Sequence, residues 1–307
     1  MTKLIEDKLE KIPVVRQLAR FTQKIKLPGL EGLSLYDLLE LYFIGIGKGA
    51  FSYRASAIAF SFFMSLFPFA LFILNLIPYI PIEGFQKDFL RFIEESVPPN
   101  TYDAIYKIIS DILNNSYQSL LSSGFLLSIF LMANGVNAIL GGFQFSKHIT
   151  ATRGFFRQYA VALGIALLLS LLLIVTVSSM VIFEYFIQKM KSQGIFDGIS
   201  LINWGRLVFA GLMILVTTSI LFKFGTRQTR RNSFFSVGSV FTTVLIFITS
   251  FAFGIYVVRF AKYNELYGSI GTLLILMIYI WLNCMILLLG FELNGAINKL
   301  KRKNLFN

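Results

Sequence analysis

Residues 270–294 read IGTLLILMIYIWLNCMILLLGFELN, from Ile270 to Asn294, and carry no charge until Glu292. About 20 apolar residues in helical conformation cross a hydrocarbon core ~30 Å thick, so this stretch predicts a transmembrane helix. Five further blocks of the same character precede it, at 55–77, 121–141, 158–183, 201–222 and 234–258. The composition agrees: 56% of the 307 residues are apolar and 14% charged, against the ~25% charged of ordinary soluble domains. The predicted fold is all-α, a polytopic membrane protein with six transmembrane helices and additional amphipathic surface helices. Cys284, the single cysteine, falls inside the last block. That excludes an internal disulfide framework and a cysteine-rich metal site.

The net charge of +12 would suggest nucleic acid in a soluble chain. In a membrane chain its distribution over the loops comes first. With six spans, the segments on the side of the termini (1–54, 142–157, 223–233 and the tail) hold twenty Lys and Arg, and the opposite loops hold seven. That asymmetry predicts both termini in the cytoplasm, and with it an attraction to anionic lipids. Residues 1–27 hold seven basic residues and no continuous apolar core, unlike a cleavable signal, so the start of the chain is expected to be retained. The expected organisation is a cytoplasmic N-terminal segment at 1–54, a transmembrane domain at 55–294 and a basic cytoplasmic tail at 295–307.

Outside the spans, Leu4, Ile5, Leu9, Ile12, Val15 and Leu18 recur at near-helical spacing among lysines and arginines, as in a helix lying on a membrane surface. Pro28 and Gly29 end it, and Ser34 with Asp37 offers a weak capping box for a second helix. Between the first two spans, 82–96 and 101–117 read as two amphipathic helices broken at Val97-Pro98-Pro99-Asn100. This extracytoplasmic hairpin either covers the bundle end or meets the outer leaflet or a protein partner.

Hydrolysis needs an activated water, and metals need converging His, Cys or carboxylate ligands. The single histidine, His148, sits in a short inside loop with no clustered carboxylates. Gly45-Ile46-Gly47-Lys48-Gly49 lacks the spacing and the hydroxyl residue of a phosphate-binding loop. Glu94 and Glu95 are adjacent, so on a helix they diverge. Polar groups inside spans say more, because each is costly in hydrocarbon without a partner or a cavity. Asn134 and Asn137 share one face of the second span, Asn283 lies mid-way along the sixth, and Glu292 and Asn294 lie near its inner end. Glu184 and Arg206 stand at similar depth toward the outside and can pair. These groups either join helices or line a partly polar cavity.

The first span runs Ala55-Ser56-Ala57-Ile58-Ala59-Phe60 and on to Ser65-Leu66-Phe67-Pro68. It resembles the opening motif of the YihY/BrkB family of bacterial inner-membrane proteins, in which an Ala-Tyr pair precedes Ser-Leu-x-Pro. Phe60 stands at the tyrosine's place. Thr152-Arg153-Gly154-Phe155-Phe156-Arg157 resembles the family's entry to its third span. Tyr267-Gly268-Ser269-Ile270-Gly271, Trp281 and Leu289-Gly290-Phe291-Glu292-Leu293-Asn294 are similar to its last. The resemblance covers about residues 40–298. It implies six helices in the inner membrane and supplies no settled reaction; members have carried ribonuclease, virulence and serum-resistance labels. Within it, Pro68 is a candidate hinge or a tolerated kink, and Glu292 is the first candidate for a functional ionisable group.

The expected function is therefore a transporter or lipid-handling protein whose substrate meets Ser65, Pro68, Asn134, Asn137, Asn283, Glu292 and Asn294 in a cavity between the first, second and sixth spans. A scaffold for an envelope protein partner is the alternative, and a ribonuclease the least supported reading. No catalytic residues, no cofactor and no metal are expected. Membrane lipids are the expected partners and nucleic acid is not; the oligomeric state stays open.

Overall fold

A computed structural model describes residues 50–76, 118–146, 152–192, 199–227, 233–260 and 269–305, together with positions 87, 90 and 149. The expected amphipathic helices at 3–25 and 34–43 lie outside the described residues, as do His148 and, but for positions 87 and 90, the hairpin at 82–117. Among the described residues six helices carry the fold: α1 (Ala50–Leu76), α2 (Gln118–Gln144), α3 (Phe155–Ser192), α4 (Ile199–Phe224), α5 (Val237–Phe260) and α6 (Ser269–Leu305). No strand occurs among the described residues. All six helices are long and apolar enough to cross a membrane, as the apolar blocks require: in hydrocarbon a backbone must satisfy its own polar groups, and a helix does so within one segment.

Several helices outrun their apolar blocks. With 38 residues, α3 is ~57 Å long at ~1.5 Å per residue, well beyond a hydrocarbon core. The 37-residue α6 likewise continues through the basic tail to Leu305. Pro68 lies inside α1, which runs on past it to Leu76.

The chain divides into two compact units. Unit 1 comprises residues 1–60, 141–152 and 225–307; unit 2 comprises 61–140 and 153–224. Within unit 1, α5 and α6 pack as an antiparallel pair whose register three contacts define. The Gly238 amide meets Asn294, the Ser250 hydroxyl lies 2.6 Å from that of Tyr279, and the Phe253 and Tyr279 rings are 5.2 Å apart. The same unit brings the start of α1 and the end of α2 against α6. Ile58, Phe143, Leu288 and Phe291 are almost wholly buried, and the rings of Phe143 and Phe291 stack at 4.1 Å and 7°.

Within unit 2, α3 packs on α4. A Cβ on Gly205 would fall 2.2 Å from the Phe183 ring, so the glycine lets the two helices approach. Arg153 Nη1 donates to the carbonyl of Phe224, the last residue of α4, at 2.9 Å. A cation at an unsatisfied C-terminal carbonyl is the favourable place for it.

Candidate functional site

The polar groups of unit 1 converge where α1 and α5 begin and α2 nears its end. Ala50–Leu76 starts before the apolar block, so Arg54 lies one turn inside α1 rather than in a loop. Its guanidinium faces two acceptors at once. Nη1 donates to Glu292 Oε1 at 3.0 Å, while Nε and Nη2 donate to the carbonyl of Gly142 at 3.1 and 2.6 Å. Gly142 belongs to the last turn of α2, whose carbonyls have no partner within the helix, so Arg54 serves as the cap of α2 and as the counter-ion of Glu292.

The turn after α2 brings the third member. Ser146 donates its amide to Phe143 O at 3.1 Å and its hydroxyl to Glu292 Oε2 at 2.7 Å. Glu292 thus has a separate partner on each oxygen and its side chain is 7% exposed, against 14% for Arg54. Gly142 lets this junction close: a Cβ there would lie 2.5 Å from Ile58.

Two residues further along α6, Asn294 reads the start of α5. Ser236 caps that helix, and Ser236 and Ser239 bond each other's amides reciprocally, Ser236 N to Ser239 Oγ at 3.0 Å and Ser239 N to Ser236 Oγ at 3.2 Å. This is a capping box with serine in the third position. Asn294 Oδ1 takes the neighbouring orphan amide of Gly238 at 2.8 Å, and its Nδ2 donates to Ser236 Oγ at 2.8 Å. A buried amide with both ends matched loses both on truncation. Asn294→Ala is expected to cost about 1–3 kcal/mol, the range for stranding a buried donor, read as a lower unfolding midpoint in detergent with Asn294→Gln recovering little.

Of the other sequence-predicted residues, Ser65, Pro68, Asn134, Asn137, Glu184 and Arg206 belong to unit 2 and Asn283 to unit 1. Ser65 is buried, its hydroxyl bonded to Phe62 O at 2.8 Å on its own helix, directly under Gly135 of α2. Asn137 Oδ1 accepts from Gln158 Nε2 at 2.9 Å, joining α2 to α3, while Asn134 is exposed. Asn283 Nδ2 bonds back to Tyr279 O at 2.8 Å; its Oδ1 is buried without a hydrogen-bond partner among the described residues, as are Ser219 Oγ and Thr242 Oγ1. Arg206 Nε lies 2.6 Å from Glu184 Oε1, with the pair 36% and 22% exposed. Exposed Trp204, Tyr185 and Phe186 stand near it in the chain, residue types typical of a membrane–water boundary. In unit 1 the start of α1, the end of α2 and α6 are joined by packed side chains and the Arg54 network. Arg54, Ser146 and Ser236 are the members that sequence reasoning did not single out.

Six membrane-length helices with a buried charged network at one end define the class: a polytopic helical membrane protein. Residues 45–305 match the family described as Virulence factor BrkB, and the chain belongs to that family. It is 30% identical over 278 residues to a putative ribonuclease-like protein, YfkH, of Bacillus subtilis, a match covering 87% of this chain and 96% of that protein. It is 25% identical over 256 residues to a UPF0761 membrane protein of Coxiella burnetii, covering 80% of this chain and 87% of that one. A UPF0761 membrane protein of Aggregatibacter aphrophilus is 21% identical over 258 residues, 82% and 89% of the two chains. No solved structure matches.

Proposed function

We propose that the chain is a transporter or lipid-handling protein of the bacterial inner membrane, with both termini cytoplasmic, in which the Arg54–Glu292–Ser146 network is a latch that opens during the working cycle. The observation that carries this reading is the latch itself. Removing two charges from water costs more than apolar packing at the same place would, so a buried ion pair is a poor choice for fastening helices permanently. Ionisable groups within membrane spans commonly mark a path or a switch. The network also ties three distant chain segments, at Arg54, at Gly142 to Ser146 and at Glu292, through side-chain bonds that can be broken without unfolding a helix. The orientation rests on the excess of Lys and Arg on the side of the termini. No catalytic step, cofactor or nucleic acid enters this account.

The test is transbilayer movement. The purified protein is placed in phosphatidylethanolamine–phosphatidylglycerol vesicles carrying a trace of fluorescent phospholipid, and a membrane-impermeant reductant reports label reaching the outer leaflet. We expect the wild type to move label faster than protein-free vesicles, and Glu292→Gln to be slower by roughly tenfold, the effect of about 1.4 kcal/mol on a barrier. No movement of phospholipid, nor of small solutes in a parallel uptake assay, contradicts the reading. The ribonuclease-like name of the Bacillus subtilis relative suggests a control: cleavage of RNA by the present protein that disappears in His148→Ala would replace transport with a nuclease.

A further inference from the structure

Unit 2 carries a second group of polar side chains that the latch does not involve. Phe130, Asn134 and Asn137 follow one another at helical spacing along one side of α2. At one end of this row Gln158 donates to Asn137, and at the other the Tyr159 hydroxyl donates to the carbonyl of Phe130 at 2.5 Å, with the two rings 5.0 Å apart. Between them Asn134 is exposed and makes no hydrogen bond among the described residues, although Ala133 and Val136 beside it are buried at 0% and 7% exposure. The exposure is therefore not that of a fraying helix end. Asn134 lies near the middle of the apolar run Leu126–Gln144, and exposed Leu127 and Phe130 border it.

An exposed amide midway along a membrane span is costly in hydrocarbon unless a polar group lies against it. The chemistry offered is a donor and acceptor at Asn134 and the half-exposed amides of Asn137 and Gln158, bordered by the ring of Tyr159, whose hydroxyl proton is held by the Phe130 carbonyl. Arg157, exposed in the first turn of α3, stands next to Gln158 and makes no ion pair among the described residues. The antiparallel pairing of Asn137 with Gln158 places these groups in descending order, from Arg157 at the start of α3 to Asn134 at mid-span. Hydrogen-bond donors with one guanidinium suit a phosphodiester, and exposed Leu and Phe beside them suit acyl chains.

We propose that the Asn134, Asn137, Gln158 and Tyr159 face of unit 2 seats the phosphodiester headgroup of a phospholipid within the depth of the membrane. The choice of ligand class rests on the lipid-handling reading above; the placement rests on the exposed amide alone.

Photolabelling tests it. The protein is reconstituted in phosphatidylethanolamine–phosphatidylglycerol vesicles with a trace of phospholipid bearing a diazirine on its headgroup, irradiated, digested and mapped by mass spectrometry. Label is expected on the peptides around 130–137 and 157–161, whereas the same diazirine at the acyl terminus is not concentrated there. Asn134→Leu should reduce headgroup labelling roughly fivefold, as the loss of one hydrogen bond implies, with an unchanged unfolding midpoint, and Asn134→Gln should retain it; Gln158→Leu should reduce it as well, with a lowered midpoint because the bond to Asn137 is lost. Labelling indifferent to Asn134→Leu overturns the proposal. So does competition by water-soluble glycerophosphoethanolamine, which would make the ligand a solute. A disulfide-linked dimer formed in high yield by Asn134→Cys under mild oxidant also overturns it, because a second copy would then cover the amide; native Cys284 is buried and does not interfere. Labelling at these peptides without transbilayer movement leaves the headgroup site standing and removes the transport reading. Movement without labelling does the reverse.

Discussion

Glu292→Ala is expected to destabilise the protein by about 3–5 kcal/mol, the penalty of leaving one partner of a buried ion pair uncompensated. Arg54 would keep its bonds to the Gly142 carbonyl, but its charge would lose the carboxylate 3.0 Å away, and the Ser146 hydroxyl would lose its acceptor at 2.7 Å. Arg54→Ala should cost a similar amount by the opposite route, stranding the Glu292 carboxylate and uncapping α2. The decisive comparison is Arg54→Met with Glu292→Met, in which both charges give way to apolar chains of similar length. That double variant is expected to recover most of the stability lost in either single alanine variant, because packing replaces the pair without its desolvation cost. Unfolding in mixed micelles followed by circular dichroism measures all four proteins. A double variant less stable than both singles would mean that the pair is a structural fastening after all.

Gly238→Ala is the second large effect. A Cβ at this position would fall 2.4 Å from the backbone carbonyl oxygen of Gly290 and 2.5 Å from the Asn294 side chain. Neither can be relieved by turning a flexible chain end: the first is backbone, and the second is held by two hydrogen bonds. α5 and α6 must separate locally, which breaks the Asn294 bridge to the start of α5. Overpacking alone costs about 1–3 kcal/mol, and the lost bridge adds to it. The expected readout is a lowered unfolding midpoint together with new accessibility of Cys284, buried in the native protein, to a membrane-permeant thiol reagent. By contrast Gly154 and Gly254 have open space where a Cβ would go, so alanine at either position serves as the control.

The six spans were legible because each is a run of apolar residues of membrane length, and a helix is the conformation that keeps such a run satisfied in lipid. The ends were less legible, for a common reason. The first apolar block starts at Ala55, just after the charged Arg54, yet α1 begins at Ala50; a helix ends where its backbone bonds lose partners, not where its side chains meet water. The same physics carries α3 to Ser192 and α6 to Leu305 through charged residues. At α5 the serine pair at 236 and 239 carried the capping signal that fixes the start at Val237.

At the site, Glu292 and Asn294 stood out as polar residues in an apolar run. Their partners did not, because Arg54, Ser146 and Ser236 lie at helix ends where polar residues are ordinary. Arg54 and Glu292 are 238 positions apart in the chain, and no local pattern joins them. One signal was available. Glu184 and Arg206 were paired on paper because both are charges at the same depth, and the same reasoning applied to the inner ends would have joined Glu292 to Arg54.

The central question about the latch is whether it opens during work or merely fastens. The most direct measurement is the transbilayer movement of fluorescent phospholipid in vesicles holding the Arg54→Met, Glu292→Met double variant beside vesicles holding the wild type, with equal amounts of folded protein. The wild type is expected to move lipid, and the double variant, though stably folded, to fall to the protein-free rate. A double variant that moves lipid as fast as the wild type, or a wild type no faster than empty vesicles, would contradict a working latch.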